Sequence, residues 1–391
     1  MPLLDLAPHC QVPPMDGADR RAWRLFEGLR QAGVQGTLVA RSGTVAGADR
    51  QPSPHRVGGE TSKLRAAVGA ILGGGDYWQT KMLGRSVRES VERLAGEPWA
   101  AVLVNFLYAT PLLRPLRGRS LRLVIDTHNY DPAVFGGFAA AARNPLTRLL
   151  CRRAIRTSRR ALATLPAGTV LVHVSAADAE QWRGDRPDLR HEVVENGCDL
   201  QPRAGRPDYA AATKQLVFVG SLSAQMNRDA LAHFARTFWP ALRDSARLRV
   251  VGSNPPPELA KLCHSLGWEL RANVSEAGLT AAYADAHYAI LPFAYGAGSK
   301  LKLFEALGRG LPVLTTAAGA VGVDGLPPCV QVSDSAAAWR SNLEAGAGFT
   351  GEKWQAGLDF ARRYSWDSLA VRLRDVVETA RPVDLALMPG R

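Results

Sequence analysis

Lys300, Lys302 and Glu305 follow a glycine-rich loop at 296–299 and could bind a phosphorylated ligand. Glycine N–H groups can approach a phosphate closely, and the start of a helix adds N–H groups and a partial positive charge. The lysines add formal charge, and the glutamate could hold sugar hydroxyls. The pattern favours a nucleotide, with lysine at the diphosphate and glutamate at the ribose. An ordinary charged surface helix after a turn is the alternative.

This loop lies inside a predicted strand–loop–helix–strand unit. Residues 289–292 are an apolar run typical of a buried strand, and residues 300–307 place apolar side chains on one face of a short helix. Residues 311–316 predict the next strand. The loop would then lie beyond the carboxyl end of a parallel strand, where open α/β sheets bind their ligands.

His128 is the second candidate for chemistry. It follows a predicted strand at 121–126, and another buried strand is predicted at 100–108. Doubly wound proteins place reacting groups at such strand ends. The alternative is a structural histidine that bonds a loop carbonyl.

The composition indicates a soluble globular protein large enough for two domains. The chain has 391 residues, of which 46% are hydrophobic and 21% charged. No apolar run approaches the roughly 20 residues that cross a bilayer, and the N-terminus does not read as a signal peptide. The five cysteines are scattered and odd in number, which predicts free thiols and a cytoplasmic location.

The net charge of +12 fits nucleic acid, an anionic membrane or an anionic substrate, and it does not choose among them. The basic residues are not interleaved with aromatics as a single-strand platform requires, so we expect no nucleic acid. A predicted helix at 145–165 carries arginines on one side. Peripheral contact with the inner face of the membrane, contact with an anionic acceptor and an ordinary solvated face are the three interpretations.

Alternating strands and helices occur in two sets, separated by a Pro-, Gly- and Ala-rich linker at 201–213. The sequence therefore predicts two doubly wound halves. No cysteine or histidine pair has a zinc-site spacing, and no Asp-x-Asp pair lies where a metal would be needed.

With these motifs placed, the chain resembles the retaining nucleotide-sugar glycosyltransferases of the GT-B fold, in particular the large bacterial family 4. Six stretches carry the resemblance: VENGCDL (194–200), VFVGSLSAQMNRDALAHFARTFWPALR (217–243), LRVVGSNPP (248–256), ILPFAYGAGSKLKLFEALGRGLPVLTT (290–316) and, more weakly, THNYDPAVF (127–135) and LVHVSAADAEQW (171–182). It implies two Rossmann-like α/β domains facing across a cleft. Residues 1–203 would form the acceptor-side domain and 204–364 the donor-binding domain, with a C-terminal helix at 365–391 crossing back.

The resemblance also implies roles for individual residues. His128 would lie beside the transferred sugar and Lys302 at the leaving diphosphate, and both are the predicted catalytic residues. The predicted donor-binding residues are Gly17, Gly220, Ser221, Asn227, Arg228, Val274, Gly296, Gly298, Ser299, Lys300, Leu303 and Glu305.

Three positions depart from the family pattern. Ala297 stands eight positions before Glu305, where a second glutamate is frequent, and this leaves the donor sugar open. Asp16 precedes Gly17 where adjacent glycines are usual. Asn227 and Arg228 lie where an arginine and a lysine usually hold the diphosphate.

The expected activity is transfer of a sugar from a nucleotide-diphosphate sugar to an acceptor hydroxyl, with retained configuration and without a metal or other cofactor. The acceptor would be a glycan, a lipid-linked molecule or a small molecule. A nucleotide-sugar epimerase or hydrolase of similar fold is the alternative among enzymes. A non-enzymatic, basic nucleic-acid-binding protein is the alternative outside them.

Overall fold

A computed structural model of the chain describes residues 1–12, 14, 16–41, 43–46, 63–72, 76–142, 144–205, 207–295, 301–345 and 350–387. The chain divides into two compact units. Unit 1 comprises Met1–Glu195 and Leu369–Arg391, and unit 2 comprises Asn196–Ser368. Each unit is a mainly parallel sheet with helices between its strands, so the predicted class of two Rossmann-like α/β domains is confirmed.

Unit 1 contains an eight-stranded sheet in the order β3-β2-β1-β4-β5-β6-β7, and β14 pairs with β5. Only β3 and β14 run antiparallel to their neighbours. The central strands are almost wholly buried and rich in Leu and Val, as parallel strands covered on both faces require. The strands are β1 Pro2–Ala7, β2 Gln35–Ala40, β3 Gly43–Ala46, β4 Ala101–Asn105, β5 Ser120–Asp126, β6 Val170–His173, β7 Arg190–Val193 and β14 Pro382–Asp384.

The helices of unit 1 are α1 Gly17–Gln31, α2 Lys63–Leu72, α3 Tyr77–Met82, α4 Arg85–Leu94, α5 Asp131–Ala141, α6 Pro145–Ala163 and α7 Ala176–Asp185, with a 3₁₀ helix at Leu107–Leu116. The strand predicted at 100–108 is shorter than expected. It ends at Asn105 because Phe106 has a φ of 68°, outside the β region, and the 3₁₀ helix begins immediately afterwards.

Helix α6 is the predicted arginine-rich helix. Its buried side combines apolar and polar residues, most of them small: Cys151, Ala154, Ser158, Ala161 and Leu162. Five arginines are exposed: Arg148, Arg152, Arg156, Arg159 and Arg160. Of the helices in the described ranges, none combines the length and the apolarity that crossing a bilayer needs.

Unit 2 contains a six-stranded, fully parallel sheet in the order β10-β9-β8-β11-β12-β13. The strands are β8 Lys214–Val219, β9 Ala246–Gly252, β10 Glu269–Ala272, β11 Tyr288–Leu291, β12 Val313–Thr315 and β13 Val330–Val332. The helices are α8 Gln225–Thr237, α9 Trp239–Leu242, α10 Pro257–Ser265, α11 Glu276–Ala284, α12 Leu301–Gly308, α13 Ala317–Ala320, α14 Ala336–Glu344 and α15 Gly351–Arg363. Helix α16, Trp366–Thr379, begins in unit 2 and ends in unit 1. All five cysteines are free thiols, as predicted, and all five are buried.

Both sheets reverse their strand order beside the first strand of the unit. The reversal lies between β1 and β4 in unit 1, and between β8 and β11 in unit 2. At such a switch point the connections leave toward opposite faces, and a crevice remains at the carboxyl ends of the strands. The residues that follow these four strands are therefore the first candidates for a site.

Candidate active site

Lys302 lies across Gly220 at the switch point of unit 2. A Cβ atom on Gly220 would come within 2.6 Å of Lys302 Cε and 2.9 Å of Asn227 Nδ2. Lys302 Nζ also lies 5.6 Å from the centre of the Phe293 ring, which follows β11. The absence of a side chain at Gly220 thus lets a cation lie against the backbone at the end of β8. Lys302 and Gly220, which were predicted to share a site, are thus in contact.

Asn227 and Arg228 brace the loop that follows β8. Asn227 Nδ2 donates to the Ser221 carbonyl at 2.7 Å, and the Arg228 guanidinium donates to the Ser223 carbonyl. Helix α8 begins directly after this loop, and its N-cap residue is Ala224, which has no side chain able to cap. The loop is therefore held in place beside the positive end of a helix dipole, an arrangement that favours an anion.

Val274 follows the edge strand β10 and packs half-buried against the core of unit 2. The residue before it, Asn273, has a φ of 54°, and its Oδ1 accepts a hydrogen bond from the Asn254 backbone N–H at 2.9 Å. This bond ties the ends of β9 and β10 together. Val274 is thus a half-buried apolar side chain at the carboxyl edge, as the predicted neighbour of a base would be.

Glu305 and Leu303 lie on α12 with Lys302. Glu305 is half-buried. The Leu303 side chain is fully buried in the hydrophobic core, so any contact it makes with a ligand would use its backbone. The other predicted members of this loop, Gly296, Gly298, Ser299 and Lys300, lie outside the described residues.

Gly17 is the first residue of α1 and is exposed. Asp16, which stands where the family usually has a glycine, is the N-cap of this helix. Its Oδ1 accepts a hydrogen bond from the Asp19 backbone N–H at 3.0 Å. The departure from the family pattern therefore has a structural cause, because a short acidic side chain satisfies an N–H group at the helix start.

His128 is held at the carboxyl end of β5 by a chain of buried polar groups. Its Nε2 lies 2.9 Å from Asn105 Oδ1, and Asn105 Nδ2 donates to Asp5 Oδ1 at 2.8 Å. Because the amide oxygen can only accept, His128 carries its proton on Nε2. The His128 backbone has a φ of 57°, and its N–H donates to Asp126 Oδ1 at 3.3 Å. Left-handed backbone at a non-glycine residue is a form of strain that proteins retain mostly at functional sites.

A buried ion pair between Arg21 and Asp126 lies beside these hydrogen-bonded groups. Arg21 Nε donates to Asp126 Oδ2 at 2.8 Å, and both side chains are about 1% exposed. Arg21 also donates to the carbonyls of Val194 and Glu195, at 2.8 and 2.7 Å. Burial opposes ionisation of Asp126, but Arg21 and His128 outweigh it and lower the pKa of this carboxyl.

Asp5 and His128, at the two ends of this hydrogen-bonded chain, both have shifted pKa values. Burial, and then the charge of Asp126, raises the pKa of Asp5 well above its usual value. Burial lowers the pKa of His128 to about 3, although Asp126 acts in the opposite direction. Burial thus favours the uncharged form of both groups, and the His128 ring is neutral near pH 7. Such a ring can bond a hydroxyl group and offers little to a phosphate.

Sequence reasoning missed the residues that support His128. Asp5, Asn105 and Asp126 each lie in or at the end of an apolar strand, in LLDLA, AVLVN and LRLVID. A polar residue at the carboxyl end of a buried parallel strand was a signal that could have identified two of them, Asn105 and Asp126. Arg21 gave no signal, because arginine is abundant throughout this chain.

Within the ranges that the structure describes, no group of three or more His, Cys, Asp or Glu side chains is placed to hold a metal ion. Unit 2 instead offers Lys302 and the loop after β8 as ligand groups, and unit 1 offers His128 with its hydrogen-bond partners.

Known proteins share this fold over nearly the whole chain. WaaG, a glycosyltransferase involved in lipopolysaccharide biosynthesis, superposes with a TM-score of 0.63 at 17% identity, over 97% of this chain and 100% of that one. A UDP-forming α,α-trehalose-phosphate synthase from Burkholderia xenovorans, in complex with glucose-6-phosphate, gives 0.61 at 11%, over 96% and 99%. The pneumococcal O-GlcNAc transferase GtfA, in complex with UDP and GlcNAc, gives 0.51 at 12%, over 76% and 60%.

The fold is therefore that of the GT-B glycosyltransferases. Residues 213–344, which form most of unit 2, match the family model for glycosyl transferases group 1. The predicted resemblance is confirmed for the fold, and the family model supports it over residues 213–344. No curated protein matches the chain in sequence.

Proposed function

We propose that this protein transfers a sugar from a nucleotide-diphosphate sugar to an acceptor hydroxyl, with retention of the anomeric configuration. The observation that carries the proposal is the contact of Lys302 with Gly220 at the switch point of unit 2. A cation, a glycine backbone and an uncapped helix start converge there, and together they suit a diphosphate.

The leaving group explains why such a site would catalyse transfer. Breaking the glycosidic bond increases the negative charge on the departing diphosphate. Lys302 and the helix start would stabilise that charge more strongly in the transition state than in the bound donor, which accelerates the reaction. His128, neutral and fixed through Asn105, would serve a hydroxyl group of the transferred sugar. Glu305 is proposed for the ribose hydroxyls and Val274 for the base.

We propose that no metal takes part, because Lys302 and the helix start can supply the positive charge themselves. Transfer should therefore persist in EDTA. Complete loss on chelation, with recovery in Mg²⁺ or Mn²⁺, would contradict this part of the proposal.

A panel of UDP-, GDP- and ADP-linked sugars, incubated with and without acceptor extracts, tests the activity. Acceptor-dependent release of nucleoside diphosphate supports transfer, and NMR of the product then tests retention. Release that needs no acceptor indicates a hydrolase. A changed sugar without release indicates an epimerase. If no nucleotide sugar binds or reacts, the proposal is wrong.

Peripheral membrane contact through α6 stays a prediction. The exposed arginines of this helix could bind anionic lipid, and sedimentation with vesicles containing phosphatidylglycerol tests it. An unchanged sedimentation after replacing Arg152 and Arg156 by Gln would show that α6 does not carry the binding.

A further inference from the structure

His9, Phe106 and His128 meet at the switch point of unit 1. They follow β1, β4 and β5, which are neighbours in the sheet. The Phe106 and His128 rings are stacked, with centroids 4.0 Å apart, and the His9 ring lies edge-on to both, at 4.8 and 5.3 Å. Phe106 and His128 both have left-handed backbone, with φ of 68° and 57°. This arrangement costs conformational energy, and such costs concentrate at functional sites.

One ring nitrogen of His9 is buried without a hydrogen-bond partner in the described part of the protein. His9 is 7% exposed, and its Nε2 lies 3.4 Å from the carbonyl oxygen of Ala18. A carbonyl only accepts, so the proton is on Nε2 and the Nδ1 lone pair is available as an acceptor. In the described structure, buried Nδ1 has no hydrogen-bond partner. A buried polar atom left in this way is unfavourable, and native proteins rarely leave one without a purpose.

His9 Nδ1 needs a partner that can donate a hydrogen bond. Burial lowers the pKa of His9 to about 4, so the ring is neutral near pH 7 and Nδ1 remains an acceptor. An ionised phosphate has no proton to donate to it. A hydroxyl group carried by a ligand has a proton to donate and satisfies the nitrogen.

We propose that His9 is a carbohydrate-binding residue, whose Nδ1 accepts a hydrogen bond from a sugar hydroxyl beside His128. This inference rests on the proposed glycosyl transfer and adds a residue to it. The sugar belongs either to the donor or to the acceptor, and both present the same hydroxyl chemistry to His9.

The variant His9→Phe tests the proposal, because it keeps an aromatic ring of similar size and removes both nitrogens. The ligands are the nucleotide sugar that wild type binds most tightly in a panel of UDP-, GDP- and ADP-linked hexoses, and its nucleoside diphosphate alone. If the donor sugar bonds His9, the variant should bind the nucleotide sugar about five- to tenfold more weakly, and the nucleoside diphosphate less than twofold more weakly. If the acceptor sugar bonds His9, the affinities for the nucleotide sugar and the nucleoside diphosphate should not change, and the KM for the acceptor should rise about five- to tenfold.

Two further variants make the result specific. His9→Gln retains a side-chain carbonyl that can accept a hydrogen bond and should restore part of the loss. His264→Phe makes the same change at an exposed histidine of α10 and should have no effect. Unchanged donor affinity together with unchanged acceptor KM in His9→Phe would overturn the proposal.

A direct readout covers the case in which His9→Phe does not fold. The ¹⁵N resonance of His9 Nδ1 in the wild-type protein should shift toward a hydrogen-bonded nitrogen when the sugar ligand is added. No shift at saturation would overturn the proposal. If wild type binds no nucleotide sugar at all, the proposed function fails, and the same titration with free hexoses still decides the role of His9.

Discussion

Charged residues are arranged differently at the two strand edges. Beside β5, Arg21 and Asp126 form a buried ion pair, while burial raises the pKa of Asp5 and lowers that of His128, which favours the uncharged forms of both. Beside β8, Lys302 lies against Gly220 and the start of a helix. The first edge therefore suits hydroxyl groups, and the second suits phosphate.

Replacing Lys302 by Ala should weaken binding of nucleoside diphosphate and lower kcat together. A hydrogen bond to a charged group contributes about 1.5–3 kcal/mol, which corresponds to a loss of roughly ten- to a hundredfold. Isothermal titration and initial rates measure the two effects. Lys261→Ala, an exposed lysine on α10, is the matched control and should change neither. Unaltered affinity and rate in the Lys302 variant would remove this residue from the site.

Replacing Asn105 by Asp should raise the pKa of His128. In the wild type this pKa is about 3, so the ring should not titrate between pH 5 and 8. A carboxylate 2.9 Å from Nε2 would favour the charged ring and bring its titration toward this range. The Cε1 proton resonance of His128 reports the change by NMR. Asn144→Asp at the start of α6 is the control, and a flat titration in Asn105→Asp would show that Asn105 does not set the state of His128.

At the scale of elements, a close approach between two backbone segments positions the loop after β8. A Cβ atom on Gly252, the last residue of β9, would lie 1.8 Å from the Gly220 carbonyl oxygen and 2.8 Å from Leu222 Cγ. The ends of β8 and β9 can therefore lie this close only with glycine at position 252. The same contact fixes the loop that Asn227 and Arg228 brace.

Gly252→Ala should displace this loop. We expect a loss of about 1–3 kcal/mol in the free energy of unfolding, as for an overpacked core, and a loss of nucleoside diphosphate affinity of about tenfold. Urea unfolding and titration measure these quantities. Gly184→Ala, on the exposed side of α7 where nothing lies near the new Cβ, should be neutral or slightly stabilising. Wild-type affinity in Gly252→Ala would refute the importance of this contact.

At the scale of the whole molecule, the chain passes between its units twice. Helix α16 begins in unit 2 and ends in unit 1, where the chain continues into β14, antiparallel to β5. Val383 of β14 is 5% exposed and belongs to the hydrophobic core behind β4 and β5. The segment around β14 is thus part of the core of unit 1.

Val383→Asp should destabilise unit 1 by about 2–4 kcal/mol, because it buries a carboxylate among apolar side chains. Hydrogen exchange should show faster exchange in β4 and β5, while nucleoside diphosphate affinity changes less than twofold. Val371→Asp, at a valine of α16 that is 42% exposed, is the matched control. Equal effects of the two substitutions would contradict the structural role of β14.

Much of the fold and part of the site could be predicted from the sequence. The apolar runs and their turn residues are local signals, so the two sets of alternating strands and helices were recognisable. Lys302, Gly220 and Asn227 were assigned to one site by the resemblance, and the structure places them in contact. The end of β4 was misplaced, since the break at Phe106 comes from a left-handed backbone that an apolar pattern does not signal.

The sequence by itself determined which segments form strands and helices, because hydrophobic periodicity and turn chemistry act between near neighbours along the chain. Tertiary structure decided which distant residues meet. The ring of His9 reaches those of Phe106 and His128 only because β1, β4 and β5 lie side by side, and Asn105 reaches Asp5 for the same reason. Burial then decided protonation, since the pKa of His9 and of His128 is lowered by the removal of water, a property of the packed unit.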